Sequence, residues 1–190
     1  MLFPGRVHGA QGFAFSPTNQ LVLNFKKSLV KRGPQQWKYK EQAIGQAATA
    51  FRAALTGDLL DRITLVPIPP SKAKTDPLYD DRLVRMLGAI RPQPPLDIRE
   101  LILQRVSTAA AHDRTNRPRP EEIQANYAVD KALLKPKPKT VALVDDVLTT
   151  GAHFRAAFNV IKQTCPGIAI VGLFIARRVP EAADFEQFEF

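Results

Sequence analysis

The chain has a single cysteine, Cys165, in 190 residues. One thiol excludes a disulfide framework and a cysteine-rich zinc site, and a reducing cytoplasm is its expected setting. Long apolar runs are also missing. The longest, Ile168–Ala176, is too short for a membrane-spanning helix and reads as a strand, so no membrane partner is expected. The opening MLFPGRVHGAQGFAF has no apolar run behind a basic start, and no secretory signal is legible in it. Acids are scarce: 18 Asp+Glu stand against 27 Lys+Arg, a formal charge of +9. That deficit points to a polyanionic partner. No internal repeat is visible, and the only low-complexity segment is KPKPK at 135–139.

What is present suits one globular domain over 1–190, with 45% hydrophobic and 24% charged residues. Residues 1–20 read as an irregular arm and 181–190 as an acidic tail. Lys26, Lys27, Lys31, Arg32, Lys38 and Lys40 form a basic run without an acid among them. With Trp37 and Tyr39 interleaved, it reads either as a solvated face or as a surface for nucleic acid.

The apolar pattern predicts alternating elements. Leu21–Phe25 fits a strand or the start of a helix, and 31–40 a loop. A helix runs from Tyr39 to about Leu55, ended by Gly57-Asp58. Ile63–Val66 is a strand leading into Pro67–Lys74. Asp76-Pro77 opens a helix to about Ile90, broken by Arg91–Pro95. Ile98–Val106 fits a strand or short helix, and Ser107–Pro120 a mobile loop. Pro120 opens a short helix, Tyr127–Val129 is a short strand and 131–139 a basic connector. Thr140–Val144 is a buried strand, a helix follows from Ala152, and Gly167–Arg178 is the last core strand. Strands alternating with helices predict an α/β protein, a mostly parallel sheet flanked by helices. Ligands bind such sheets beyond the strands' carboxyl ends, so the loops 67–74 and 145–153 are expected to share an edge.

The stretch Thr140–Phe154, TVALVDDVLTTGAHF, carries the most chemistry. A buried strand ends in Asp145 and Asp146, and the turn Thr149-Thr150-Gly151 opens a helix. Backbone N–H groups in such a turn, with the positive helix end, hold a phosphate. Two carboxylates one loop away grip vicinal hydroxyls or a metal-bound sugar. Phosphate at one end and diol at the other describe a ribose 5-phosphate.

This stretch resembles the signature of type I phosphoribosyltransferases, which bind phosphoribosyl pyrophosphate (PRPP). From Val141 to His153 only the last position departs, because the family usually has a hydroxyl there. The resemblance implies a Rossmann-like phosphoribosyltransferase fold with a small variable hood and a flexible loop. It implies PRPP with Mg²⁺, a small-molecule acceptor, and often a homodimer. It places ribose 5-phosphate on Asp145, Asp146, Val147, Leu148, Thr149, Thr150, Gly151, Ala152 and His153. The metal would meet Asp145 and Asp146 indirectly, through PRPP or water. Pyrophosphate falls to Pro69, Pro70, Ser71 and Lys72, with Lys74 behind them. Catalytic candidates are Asp145, Asp146, Arg105 and His112; Arg114, Arg117 and Arg119 share the loop of His112. Tyr79 and Arg82 are candidates for the acceptor side.

Within that family the chain is most similar to the ComF-like subgroup, associated with DNA uptake in some bacteria. The likeness rests on Val66-Pro67-Ile68-Pro69, its distance to the signature, and Ala176-Arg177 ending the last strand. Pro77-Leu78-Tyr79-Asp80-Asp81 keeps only the aromatic of the subgroup's Arg-Gly-aromatic-Asn-Gln run, and its zinc-ribbon cysteines are absent. The resemblance leaves two readings, a transferase and a non-catalytic PRPP- or nucleotide-sensing module with a basic interaction face. A metal-dependent phosphohydrolase using Asp145 and Asp146 would need further acids or histidines, and His8 and His112 have no compelling spacing. No nucleophilic Cys or Ser-His pair is evident.

Overall fold

The computed structural model describes residues 6–8, 13–28, 33–108 and 118–179. Its centre is β5 (Thr140–Leu148), in which Val141, Ala142, Leu143 and Val144 are wholly buried. A strand buried on both faces has to be apolar at every position and needs a neighbour on each side. Strand β5 pairs in parallel with β2 (Thr64–Pro67) on one edge and with β6 (Ala169–Val179) on the other. A short β1 (Arg6–His8) continues the sheet beyond β6, giving the all-parallel order β1-β6-β5-β2. Beside β2, Ile98 bridges in parallel to Leu65.

Helices cover both faces. On one side lie α1 (Pro17–Phe25), α2 (Pro34–Ala54) and α4 (Arg82–Ile90), with the one-turn α3 (Gly57–Leu60) after α2. Phe25, Ala47, Phe51, Met86 and Leu87 join Ala142 and Val144 in that core. On the other side lie α5 (Pro120–Ala125), α6 (Ala152–Thr164) and the antiparallel pair β3 (Ile102–Gln104) and β4 (Tyr127–Val129). Ile102, Tyr127, Ala157 and Ile161 meet Val141 and Leu143 there. Alternate residues of one strand thus feed two cores, as period-2 geometry requires. Each fully buried Val, Leu or Ile contributes roughly 1.5–3 kcal/mol.

Several segments differ from the sequence pattern. Leu21–Phe25, open between strand and helix in the sequence, is the second half of a helix, α1, which starts earlier at Pro17 and whose N-cap Ser16 accepts a hydrogen bond from the Asn19 N–H at 3.0 Å. Residues from Pro34 onward are helix rather than loop, because proline suits a first helical turn. Helix α2 ends at Ala54, and Gly57-Asp58 opens α3, capped by Thr56, instead of merely ending a helix. Asp76-Pro77 opens no helix. The Asp76 carboxylate takes the Leu78 N–H at 2.8 Å and turns the chain, so α4 begins only at Arg82. The N-terminal arm contributes β1 and a 3-10 turn, Phe13–Phe15. The 181–190 tail, Lys31, Arg32, His112, Arg114 and Arg117 lie outside the described residues. Among the described residues no helix is long and apolar enough to cross a membrane.

The connections matter for the site. From β2 the chain runs through α4 to Ile98 on one side; from β5 it runs through α6 to β6 on the other. Its direction across the sheet reverses between β2 and β5, and open α/β sheets bind ligands at such a reversal.

Candidate functional site

A cleft opens at that reversal. Pro67 at the end of β2 and the loop Ile68–Pro70 form one wall, and Tyr79, Asp80, Arg82, Glu100 and Asp145 are among the residues lining the rest. It is an open concavity of about 410 Å³, most of it continuous with solvent, around a water-accessible interior of about 30 Å³. The Ile68 N–H bonds the Val144 carbonyl at 2.8 Å, tying this wall to the strand that carries the acids.

Strand β5 does not stop at Val144 but runs through both aspartates to Leu148. The adjacent carboxylates therefore have different surroundings. Asp146 is 4% exposed and receives Lys26 Nζ at 2.9 Å and Arg82 Nη2 at 2.7 Å. Arg82 also holds Asp80 at 2.8 Å, and Asp80 holds the buried Lys40 at 2.7 Å. Lys40 donates further to the carbonyls of Phe25 at 3.2 Å and Lys27 at 2.9 Å, closing the end of α1. The Arg82 guanidinium lies over the Phe25 ring, 5.7 Å from its centre. The result is a chain of charges, Lys26–Asp146–Arg82–Asp80–Lys40, beneath the cleft.

Burial alone would raise the Asp146 pKa, but Lys26 and Arg82 outweigh it and hold the carboxyl at about 2. Asp145, half-buried and in no ion pair among the described residues, accepts the Asp146 N–H at 2.8 Å. Burial first, and then the Asp146 charge, push it up to about 7. Only Asp145 of the pair borders the cleft.

The turn after β5 leaves Thr149 and Thr150 exposed. Gly151 caps α6 with φ 80°, a left-handed conformation that favours glycine. The Ala152 N–H reaches Thr150 Oγ1 at 3.4 Å. His153, on the first turn of α6, meets the Tyr127 hydroxyl with its Nδ1 at 3.1 Å. Crowding of its inner edge lowers the imidazole's pKa although the residue remains exposed; Asp146 opposes that shift.

The structure distributes the other candidates unevenly. Pro69 and Pro70 line the cleft. The Ser71 carbonyl accepts from the Thr108 N–H at 2.8 Å, and the Ala73 N–H reaches Ser107 Oγ at 3.0 Å, so the β2 loop and the start of the 107–120 loop brace each other. Lys72 forms no ion pair among the described residues. Lys74 is engaged by Glu100 at 2.5 Å, and Glu100 also accepts from the Tyr79 hydroxyl at 2.7 Å. Arg105 does not line the cleft; its Nε donates to the Tyr127 carbonyl at 3.1 Å, holding the β3–β4 pair. The Arg119 N–H donates to Glu122 at the start of α5. His112 lies outside the described residues.

Much of the basic run has internal work. Lys26 and Lys40 belong to the charge chain, and Lys27 lies over the Tyr39 ring at 4.7 Å. Arg85 covers Trp37 at 5.8 Å, while Lys38 is exposed. The site roles of Asp80, Lys40 and Tyr127 were not legible in the sequence, although each lies in a segment it singled out. Their contacts join segments 15 to 40 positions apart, which no local pattern records.

A scan against protein-family models finds no match to this chain, and a search of curated proteins finds no match either.

Proposed function

We propose that this protein binds PRPP in the cleft between β2 and β5 and transfers its 5-phosphoribosyl group to a nitrogen acceptor, releasing pyrophosphate. One observation carries the reading: the signature's acids and its Thr149-Thr150-Gly151 turn fall at the carboxyl end of β5, where the sheet reverses direction. The start of α6 receives the 5-phosphate. Asp145 accepts from a ribose hydroxyl, and Lys72, in no ion pair among the described residues, supplies a cation for pyrophosphate. In this reading the compartment is cytoplasmic. The C1–oxygen bond breaks with its electron pair leaving on pyrophosphate, the acceptor nitrogen bonds C1, and its proton passes to solvent. Positioning and electrostatics suffice for such a step.

The residues fit magnesium in part. Among the described residues no group of three acids or histidines could cage a metal. Magnesium is commonly held by one or two carboxylates together with substrate phosphates. Asp145 is open to that role, whereas the Asp146 oxygens already face Lys26 and Arg82. The ion would neutralise charge on the leaving pyrophosphate.

Calorimetric titration with PRPP and Mg²⁺, with ribose 5-phosphate as control, tests the reading. Magnesium-dependent PRPP binding that Asp145→Asn abolishes supports it; unchanged affinity in that variant refutes the site. The engaged state of Asp146 favours a second reading, PRPP binding without turnover. Pyrophosphate release in a screen of nucleobases and amines separates the two.

A further inference from the structure

Tyr127 sits on β4, beyond the signature, yet its hydroxyl meets the one signature position that departs from the family pattern. Tyr127 is 3% exposed, and the His153 Nδ1 at 3.1 Å is the one hydrogen-bond partner of its hydroxyl among the described residues. A buried hydroxyl proton without an acceptor costs about 1–3 kcal/mol. A buried phenol donates where it can, and an unprotonated Nδ1 is the acceptor within its reach. Burial and then the Asp145 charge raise the phenol's pKa, which keeps that proton on Tyr127. A neutral imidazole that accepts at Nδ1 must carry its own proton on Nε2. Nε2 has no partner among the described residues, and His153 is exposed. The charges of Asp146 and Lys26 act on the imidazole in opposite senses.

Building on the PRPP reading, we infer that Tyr127 is a positioning residue that fixes His153 in the Nε2–H form, so that its outward nitrogen donates a hydrogen bond to the ligand's 5-phosphate. His153 thereby supplies the donor that a hydroxyl supplies elsewhere in the resembled family. Tyr127 turns an ambiguous ring into a donor of one sense. The neutral ring donates without adding a cation to a floor that already holds Lys26, Arg82 and Lys40.

Nitrogen NMR of the imidazole and calorimetry with ribose 5-phosphate test this together. The wild type is expected to show an unprotonated Nδ1 and a protonated Nε2 at neutral pH, and Tyr127→Phe a mixture of tautomers. Charge-assisted hydrogen bonds make the expected loss of ribose 5-phosphate affinity about 10-fold or more in His153→Asn. His153→Gln, whose amide reaches the Nε2 position, stays within about threefold of wild type. Thermal unfolding of each variant confirms that it is folded. A protonated Nδ1 in the wild type overturns the inference. So does undiminished affinity in both His153→Asn and Tyr127→Phe, while the PRPP site itself stands. If the wild type binds neither PRPP nor ribose 5-phosphate with magnesium present, the underlying reading falls and the inference falls with it.

Discussion

Asp145 and Asp146 are neighbours of the same type with opposite electrostatics. Asp146 is ionised because Lys26 and Arg82 stabilise its charge more than burial penalises it. Removing Arg82 leaves the buried carboxylate with Lys26 alone and takes one of two cations from Asp80. Arg82→Met is expected to destabilise the protein by about 3–5 kcal/mol, read from chemical denaturation at pH 7. Asp145 behaves inversely. Its carboxyl ionises near 3.9 in an unfolded chain and near about 7 in the fold. The folded state therefore holds an extra proton between those values, and stability is lost as pH rises through them. Asp146, held at about 2, contributes stability above pH ~4 that is lost as pH falls toward 2. Asp145→Asn should gain stability on the wild type as pH rises from 4 to 8, because it has no carboxyl to deprotonate. Equal pH–stability profiles for the two proteins would contradict the raised pKa.

At the scale of elements, β5, its turn and α6 form the working unit, and glycines mark its tight points. Gly151 holds φ 80° at the cap of α6. Gly151→Ala meets no closer neighbour than Leu148 Cδ1 at 3.8 Å, so its cost is conformational. About 1–2 kcal/mol is expected from unfolding measurements, with weaker phosphosugar binding by calorimetry. Gly172 in β6 differs, because its φ is ordinary and the constraint is space. A Cβ there would lie 2.8 Å from both the Phe154 and Phe174 rings, which themselves meet edge to face at 5.7 Å. Gly172→Ala is expected to cost about 1–3 kcal/mol by thermal unfolding, as overpacking does. A neutral substitution would mean that the rings yield freely. Strands β2, β5 and β6 and helix α6 were legible because their apolar runs are long or periodic. The start of α4 was not, since a proline after an aspartate opens a turn as readily as a helix.

For the whole molecule, the sheet's reversal between β2 and β5 concentrates the signature, the proline loop and the start of α4 at one edge. A ligand that binds only the folded state stabilises it by about 2.7 kcal/mol at 100 times its dissociation constant. For a chain of this size that corresponds to roughly 5–10 °C in Tm. PRPP with Mg²⁺ should produce such a shift and ribose alone should not; no shift at saturating PRPP would count against the proposed cleft. Because Lys26 and Lys40 belong to the charge chain, removing either should alter stability, which a merely solvated basic face would not do.

The sequence by itself determined the class of architecture, because alternating strand and helix periods admit few packings. It also determined the position of the acid pair and turn, because a strand, two carboxylates and a Thr-Thr-Gly turn are local in the chain. Only the tertiary structure decided what the acids face. Alternation along β5 and the elements packed on either side place two cations on Asp146 and leave Asp145 at the cleft. It likewise brought Lys40 to Asp80 and Tyr127 to His153, and drew Arg105 away to a backbone carbonyl. Such contacts depend on which faces of distant elements meet, a property of the packed molecule that spacing along the chain does not carry.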